Sequence, residues 1–382
     1  MPKRKQQLNY CDRLTALHHH LKQAAKEMAG YPENQIFNYA KFSRFLKFSI
    51  NNVGDPFDKG STYRLNTHDF EKEVIDEFAH IFHAPKNQYW GYVTNGGSEG
   101  NLFGLYCARD LLPHGVVYCS EDTHYSIFKN THLLRMSSVK IEALPNGEID
   151  YRKLQDALIA NHNIPPIIVA NIGTTMKGAV DNVTHILQIL NDLKIERYYI
   201  HCDAALFGVL LPFLPPLHSQ AFDFRAGIDS LAISGHKMIG MPIPCGVVLT
   251  KKSHKDQIVR DIEYTGSKDS TITGSRNGFT PLLLWYEMVW REKRHVMEKL
   301  AEECIKKAAY AVKKFRELEI NAWRNENSII VIFPRPSENT RNKWQLAVEK
   351  EISHIITLPQ VTYKIIDTIV ETVAAELKNL SP

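Results

Sequence analysis

Residues 228–240 have the sequence IDSLAISGHKMIG, which is typical of a short apolar strand followed by a tight polar turn. The turn carries one lysine, Lys237. Burying an ammonium group is unfavourable unless the group is paired or chemically changed. One interpretation is a strand-end lysine that extends its amine to water. The other is a lysine held neutral so that it can form a Schiff base with an aldehyde cofactor.

The composition is that of an ordinary globular protein and excludes several classes. The chain has 382 residues, 44% of them hydrophobic and 23% charged, with a net charge of only +4. The basic residues are scattered apart from a cluster at 2–5, so we expect no nucleic-acid partner. Because the N-terminus is polar and no apolar run is long enough to span a membrane, we expect neither a signal peptide nor a membrane span. Six widely spaced cysteines are typical of reduced thiols, which predicts a cytoplasmic location.

Short apolar segments alternate with helical segments through most of the chain. Strands are predicted at 89–93, 115–120, 138–143, 167–171, 198–203, 231–234 and 246–250. Helices are predicted at 99–112, 123–134, 151–160 and 183–193. This alternation predicts an α/β fold, with a mostly parallel sheet covered by helices on both faces.

Three regions are predicted along the chain. Residues 1–50 form an N-terminal helical segment, broken at 30–32, that we expect to pack on another subunit. Residues 51–270 form the large domain. Residues 271–382 form a smaller C-terminal α+β domain, which begins with a long helical region from about 281 to 318.

Polar residues lie at or just past the ends of several predicted strands. They are residues 94–98, His124, Thr174, Asp203 and Lys237. Ligands of open α/β sheets bind at the carboxyl ends of the strands. We therefore expect these residues to share one pocket.

The residue types in this pocket match the parts of a planar, phosphorylated aldehyde. Taken alone, Asp203 could cap a helix and His124 could be structural. In a shared pocket, Asp203 would instead pair with a protonated pyridine nitrogen and His124 would lie on the ring. Donors suited to a phosphate are Gly97, Ser98, Ser234 and His236. With an aldehyde carbon for Lys237, this set indicates pyridoxal phosphate.

Other kinds of site lack their defining residues. The Gly-rich turn at 96–100 is neither the dinucleotide fingerprint nor a Walker motif, because the required spacing and the Gly-Lys-Ser/Thr ending are absent. No cysteine and histidine set has the spacing of a zinc site, so no metal is predicted. No G-x-S-x-G sequence supports a serine hydrolase.

Five motifs occur in the order found in group II amino-acid decarboxylases. They are TNGGSEGN at 94–101, DTHYS at 122–126, NIGTT at 171–175, HCDAA at 201–205 and SGHK at 234–237. Over residues 30–370 the chain resembles bacterial pyridoxal-dependent histidine decarboxylases and plant serine decarboxylases. The resemblance implies a fold-type-I pyridoxal-phosphate enzyme that is at least a dimer, with its active site at the subunit interface and a small amino acid as substrate.

The resemblance also implies a role for each matching residue. Lys237 is the Schiff-base lysine, Asp203 is the partner of the pyridinium nitrogen, and His124 stacks on the ring and touches the substrate. Thr174 borders the ring. The residues expected to hold the phosphate are Gly97, Ser98, Ser234 and His236.

Three residues outside the strand ends complete the expected site. Ser275 is expected to reach the phosphate in the partner subunit, and Asn52 to hold the substrate carboxylate. Decarboxylation leaves Cα to be reprotonated by a positioned acid. By analogy with related catalytic loops, Tyr264 in the loop 262–267 is the expected donor.

The substrate is harder to predict than the reaction. Residues 234–240 and 318–324 look like the histidine enzymes. Residues 54–57, Cys202 with Phe207, and residues 344–347 look like the plant serine enzymes. We expect decarboxylation of L-histidine to histamine. The alternatives are decarboxylation of L-serine to ethanolamine, another fold-type-I enzyme such as an aminotransferase, and a binding protein without catalysis.

Overall fold

The computed structural model describes residues 10–58, 62–214, 222–291 and 295–380. The basic cluster at 2–5 lies outside these ranges. The strands are β1 (Tyr89–Thr94), β2 (Val116–Ser120), β3 (Ser138–Ile141), β4 (Pro166–Asn171), β5 (Tyr199–Asp203), β6 (Ser230–Ser234), β7 (Gly246–Lys251), β8 (Arg260–Ile262), β9 (Ser267–Asp269), β10 (Ile330–Pro334), β11 (Val348–Glu349) and β12 (Ile352–Ile356). The α-helices are α1 (Tyr10–Lys26), α2 (His68–Ile81), α3 (Gly97–Leu111), α4 (Tyr125–Leu133), α5 (Tyr151–Ala160), α6 (Val183–Asp192), α7 (Lys252–Lys255), α8 (Phe279–Trp285), α9 (Val296–Glu317), α10 (Glu338–Trp344) and α11 (Tyr363–Leu380).

A seven-stranded sheet forms the centre of the molecule, with the order β1-β7-β6-β5-β4-β2-β3. Strands β2 to β6 pair in parallel wherever they are neighbours, whereas β7 runs antiparallel to both β1 and β6. The carboxyl ends of β1, β2, β4, β5 and β6 therefore meet at one edge. The predicted α/β fold with a mostly parallel sheet is confirmed.

Alternate residues of each central strand enter different hydrophobic cores. On β2 and β4, Val117 and Ile167 belong to one core, whereas their neighbours Tyr118 and Ile168 belong to the other. Because successive side chains of a strand point to opposite faces, both faces of the sheet are buried. This explains why these strands appear in the sequence as continuous apolar runs.

A second, smaller sheet has the order β10-β12-β11, with both pairings antiparallel. It packs with α9 and α11 around a separate core that includes Phe315, Phe333 and Ile369. This is the α+β arrangement expected for the C-terminal region. The domain boundaries at 50 and 270 remain predictions.

Two long helical predictions are interrupted in the structure. In the N-terminal segment, α1 ends at Lys26 and a 3-10 helix follows only at Ala40–Lys47. The chain between them is held by other elements, since Ala29 N–H donates to Trp344 O and Asn34 N–H donates to Lys237 O. The region predicted as helical from 281 to 318 contains α8, a π-helical turn (Tyr286–Arg291) and α9.

Within the described residues, no helix combines the length and the apolar character needed to cross a lipid bilayer.

Candidate active site

A cavity of about 590 Å³ opens at the carboxyl edge of the central sheet. It lies between that sheet, the segment at 30–33 and the smaller sheet. The predicted site residues that line it are Gly97, Ser98, His124, Thr174, Asp203, Ser234, His236 and Lys237. The parallel strands bring together residues that are far apart in sequence, as the strand-end rule predicts.

Lys237 lies in the turn that follows β6 and lines the cavity. The turn is fixed from two sides, since Lys237 O accepts hydrogen bonds from Asn34 N at 3.0 Å and Gly240 N at 3.1 Å. Burial lowers the pKa of the Lys237 ammonium, although the Asp203 and Glu33 carboxylates oppose this shift. A lowered pKa increases the fraction of Lys237 that is present as the neutral, nucleophilic amine.

Asp203 ends β5 and is 7% exposed. Its Oδ2 accepts a hydrogen bond from Asn101 Nδ2 at 2.8 Å, and its Oδ1 accepts one from Ala205 N at 3.2 Å. Within the described part of the chain, this carboxylate has no salt bridge. A nearly buried carboxylate without a cation fits a protonated ring nitrogen bound in the cavity.

His124 precedes α4, and its ring lines the cavity. Its Nδ1 lies 2.8 Å from Ser126 Oγ and accepts a hydrogen bond from Ser126 N at 3.3 Å. Burial lowers the His124 pKa; nearby Asp203 opposes this shift and nearby Lys237 adds to it. The ring is therefore placed as a neutral, flat surface at the strand ends.

The N-terminus of α3 borders the cavity. Gly97 and Ser98 are the first residues of α3, whose N-cap Gly96 offers no side-chain acceptor, so backbone N–H groups are available there. A Cβ added at Gly97 would lie 2.7 Å from Ser234 Oγ, so the close approach of these elements requires glycine. His236 contributes an imidazole whose Nδ1 lies 3.0 Å from Cys245 O.

Thr174 lines the cavity beside the strand ends and is held by its own loop. Its Oγ1 accepts a hydrogen bond from Ala179 N at 3.0 Å, and its backbone N–H donates to Ala179 O at 2.9 Å. With these bonds formed, the side chain is a rigid part of the wall.

Several cavity residues were not predicted from the sequence. Asn101 lies one turn after Gly97 on α3, a spacing that could have placed it on the same helix face. Tyr31 and Glu33 come from the N-terminal segment, and His354 and Ile356 come from β12. Nothing local in the sequence places these four at the cavity, because each depends on packing between distant parts of the chain.

Three predicted residues are not among those that line the cavity. Asn52 is fully buried, where its Nδ2 donates to Glu71 Oε2 at 2.6 Å and its Oδ1 accepts from Thr67 N at 2.8 Å. Ser275 Oγ accepts from the side-chain amide of the neighbouring Asn51 at 3.1 Å. Tyr264 is 87% exposed on the turn between β8 and β9. Their roles remain predictions.

Comparisons with known proteins agree with this geometry. Residues 61–320 match the family model described as the pyridoxal-dependent decarboxylase conserved domain. The chain is 47% identical over 357 residues to a histidine decarboxylase of Pseudomonas entomophila, covering 91% of this chain and 86% of that protein. It is 48% identical over 358 residues to a histidine decarboxylase of Acinetobacter baumannii, covering 92% of each.

A solved structure extends the likeness to the fold. The L-methionine decarboxylase of Streptomyces sp. 590 superposes with a TM-score of 0.87 at 26% identity, covering 97% of this chain and 96% of that one. The cavity residues fit the cofactor of this family, pyridoxal phosphate, because a lysine, a helix N-terminus and a carboxylate without a salt bridge to any described residue meet there. The family match covers more than half of the chain, and the histidine decarboxylases align along nearly all of it. The chain therefore belongs to the pyridoxal-dependent decarboxylase family.

Proposed function

We propose that this enzyme decarboxylates L-histidine to histamine and carbon dioxide with pyridoxal phosphate as cofactor. The observation that carries the proposal is the identity of 47–48% with histidine decarboxylases over about nine-tenths of the chain. Likeness at this level extends through the large region and the smaller sheet, both of which line the cavity.

In this proposal each of the main cavity residues has a separate role. Pyridoxal phosphate, when bound, supplies an electron-withdrawing ring that accepts the electron pair left behind by carbon dioxide. Lys237 would hold the cofactor covalently through its amine until the amine of the substrate takes that place. Asp203 would keep the ring nitrogen protonated, and His124 would support the face of the ring. The lowered pKa of Lys237 and the nearly buried Asp203 carboxylate support these roles.

The phosphate would lie against the N-terminus of α3, near Gly97 and Ser98. Ser234 adds a hydroxyl from the end of β6, and His236 adds an imidazole from the following turn. Thr174 would border the ring. Lys237 would then hold the aldehyde carbon of the cofactor.

The side chain of the substrate would face the part of the cavity wall that comes from the N-terminal segment and the smaller sheet. Tyr31, Ala347, His354 and Ile356 form part of this wall. The wall belongs to the N-terminal segment and the smaller sheet, so both regions would contribute to substrate selection.

The direct test measures carbon dioxide released from L-histidine and from L-serine by the same preparation. We expect faster release from L-histidine. Turnover of serine without turnover of histidine would overturn the proposed substrate. It would favour the serine decarboxylase alternative, since Cys202 and Phe207 look like the residues of the plant serine enzymes. Formation of pyridoxamine phosphate and a keto acid in place of carbon dioxide would indicate an aminotransferase.

We also propose that the active enzyme is at least a homodimer, with Tyr264 and Ser275 acting in the site of the partner subunit. Tyr264 is highly exposed, and the segment before α2 exposes the large apolar side chains of Leu46, Phe48 and Leu65. An exposed proton donor that does not line the cavity of its own subunit would act on a substrate in a second copy. Asn52 would then act on the substrate carboxylate only through the buried network that it shares with Glu71.

Mixing two inactive variants tests the shared site. Lys237→Ala and Tyr264→Phe are unfolded together and refolded, so that mixed dimers contain one complete site. We expect decarboxylation to recover in the mixture and not in either variant alone. A Tyr264→Phe enzyme with full decarboxylation would exclude Tyr264 as the donor, and an inactive mixture would exclude its action across the interface.

We place the protein in the cytoplasm. Its six cysteines form no disulfide within the described residues, and five of them are buried. Fractionation of cells expressing the protein tests this location. Recovery of the protein in a secreted or membrane fraction would contradict it.

A further inference from the structure

A buried hydrogen-bond network connects Asp203 to His124 behind the cavity. Its centre is the side chain of Asn101, which is 1% exposed. Asn101 Nδ2 lies 2.8 Å from Asp203 Oδ2 and 3.1 Å from Ser126 Oγ, and Asn101 Oδ1 lies 3.0 Å from His201 Nε2. Ser126 Oγ in turn lies 2.8 Å from His124 Nδ1.

The carboxylate determines which way the Asn101 amide points. An ionised carboxylate only accepts hydrogen bonds, so the atom facing Asp203 must be the amide NH₂. The opposite orientation would place two acceptor oxygens against each other. The second hydrogen of the NH₂ group is then directed at Ser126 Oγ.

The same reasoning shows which ring nitrogen of His201 carries the hydrogen. Asn101 Oδ1 is an acceptor, so His201 Nε2 carries the hydrogen and its Nδ1 accepts from Ser230 Oγ, which is 2.7 Å away. Burial lowers the His201 pKa to about 4, which keeps this ring neutral at physiological pH. His201 therefore holds Asn101 without adding a positive charge beside Asp203.

The network reaches the cavity through His124. Ser126 Oγ accepts from Asn101, so its single hydrogen is free to donate to His124 Nδ1. The backbone N–H of Ser126 also points at His124 Nδ1, at 3.3 Å. Two donors facing Nδ1 leave the hydrogen of the neutral ring on Nε2.

We propose that Asn101 is a positioning residue that, through Ser126, holds His124 in its Nε2–H form, so that the ring offers a hydrogen-bond donor to the cavity. A donor suits an acceptor such as the carboxylate of an amino-acid substrate, whereas the Nδ1–H form would present a lone pair to it. The inference rests on the proposed amino-acid decarboxylase function, but it holds for any amino-acid substrate. It also couples the orientation of Asp203 to the protonation of His124 through one amide.

The test reads the tautomer of His124 directly. The protein is labelled with [¹⁵N]histidine, and ¹⁵N spectra of the apoenzyme and the holoenzyme are recorded at pH 8, with His124 assigned by comparison with His124→Gln. We expect a protonated Nε2 and an unprotonated Nδ1 in both forms. Because the apoenzyme contains neither cofactor nor substrate, this result is independent of whether histidine is the substrate.

Two variants change the network in different ways. In Asn101→Asp the new carboxyl group faces Asp203, so the two groups share one proton, and its oxygen accepts the Ser126 hydroxyl hydrogen. Ser126 Oγ then accepts from His124, and the ring should change towards its Nδ1–H form, against the one donor that remains at Nδ1, the Ser126 backbone N–H. Ser126→Ala removes the hydroxyl without adding charge beside Asp203, and should give a mixture of both forms. The matched control is Asn161→Asp, because the Asn161 side chain donates to Ala157 O at 3.0 Å, interacts with Tyr118 and lies outside the cavity.

Steady-state kinetics provide a second test of the same proposal. Ser126→Ala should raise the KM for the amino acid by roughly tenfold, the weight of a hydrogen bond to a charged group, with a smaller change in kcat. An Nδ1–H ring in the wild-type apoenzyme would overturn the proposal. So would a His124 tautomer that stays the same in both Asn101→Asp and Ser126→Ala.

Discussion

Gly104 lies in the middle of α3, and its replacement by alanine tests the packing behind Asp203. A Cβ added at this position would lie 2.3 Å from His201 Nδ1 and 3.0 Å from Ser230 Oγ. Ordinary contact begins near 3.4 Å, so the His201 ring would have to move by about 1.1 Å. The ring is held at both nitrogens, at 2.7 and 3.0 Å, so such a movement breaks at least one hydrogen bond.

Two effects of opposite sign decide the outcome of Gly104→Ala. Helix propensity alone would stabilise the variant by about 1 kcal/mol. Overpacking costs about 1–3 kcal/mol, and a lost buried hydrogen bond adds about 1 kcal/mol. We therefore expect a net loss of about 2 kcal/mol in the free energy of unfolding, against the direction of propensity.

Urea unfolding of the apoenzyme, followed by far-ultraviolet circular dichroism at fixed protein concentration, measures this loss. Gly274→Ala is the matched control, since among the described residues no atom beyond its chain neighbours lies within 4 Å of its added Cβ, and it should leave the midpoint nearly unchanged. In a His201→Ala background, Gly104→Ala should cost less because the clashing ring is absent. A Gly104→Ala variant more stable than the wild type would refute the packing described for this network.

Further predictions concern charges in and around the site. Asp203→Asn should lower the rate of carbon dioxide release by at least about 100-fold, because a neutral amide no longer keeps the ring nitrogen protonated. This decrease corresponds to a loss of about 2.7 kcal/mol or more in transition-state stabilisation. A decrease of less than tenfold would exclude this role of Asp203. The His201 pKa of about 4 lies below its unfolded value of 6.5, so the stability that it contributes is present above pH 6.5 and is lost as the pH falls towards 4. Between these values the unfolding free energy of His201→Gln should depend on pH less steeply than that of the wild type, by about 1.4 kcal/mol per pH unit, and equal slopes in urea titrations would contradict the assignment. Arg276→Met leaves the buried Glu71 carboxylate without its cation and should lower the unfolding free energy by about 3–5 kcal/mol. The double variant Arg276→Met/Glu71→Gln should recover part of this loss. An Arg276→Met variant as stable as the wild type would contradict the stabilising role of this ion pair.

The parts of the site that the sequence predicts well depend on local rules. Lys237, Asp203 and Gly97 each follow an apolar strand, and parallel strands bring their carboxyl ends to one edge whatever the details of packing. Their place at one cavity followed from the alternation of strands and helices. The fold class followed from the same pattern.

The parts that the sequence did not predict depend on contacts between distant residues. Asn101 and His201 are joined by a hydrogen bond across a hundred positions, and no periodicity marks such a pair. His354 reaches the cavity wall because β12 packs beside the N-terminal segment, where its Nε2 lies 3.0 Å from Gly30 O. The amide of Asn52 forms hydrogen bonds with Glu71 and Thr67, two partners that tertiary packing brings to it, and its role towards the substrate remains a prediction.

The central claim is that Lys237 is the residue that binds pyridoxal phosphate. The most direct measurement reduces the holoenzyme with borohydride, digests it and locates the pyridoxyl group by mass spectrometry. The account predicts a single modified peptide carrying the group on Lys237, and no modified peptide from Lys237→Ala. A pyridoxyl group on any other lysine of the wild-type enzyme, or none at all in a preparation that releases carbon dioxide, would contradict it.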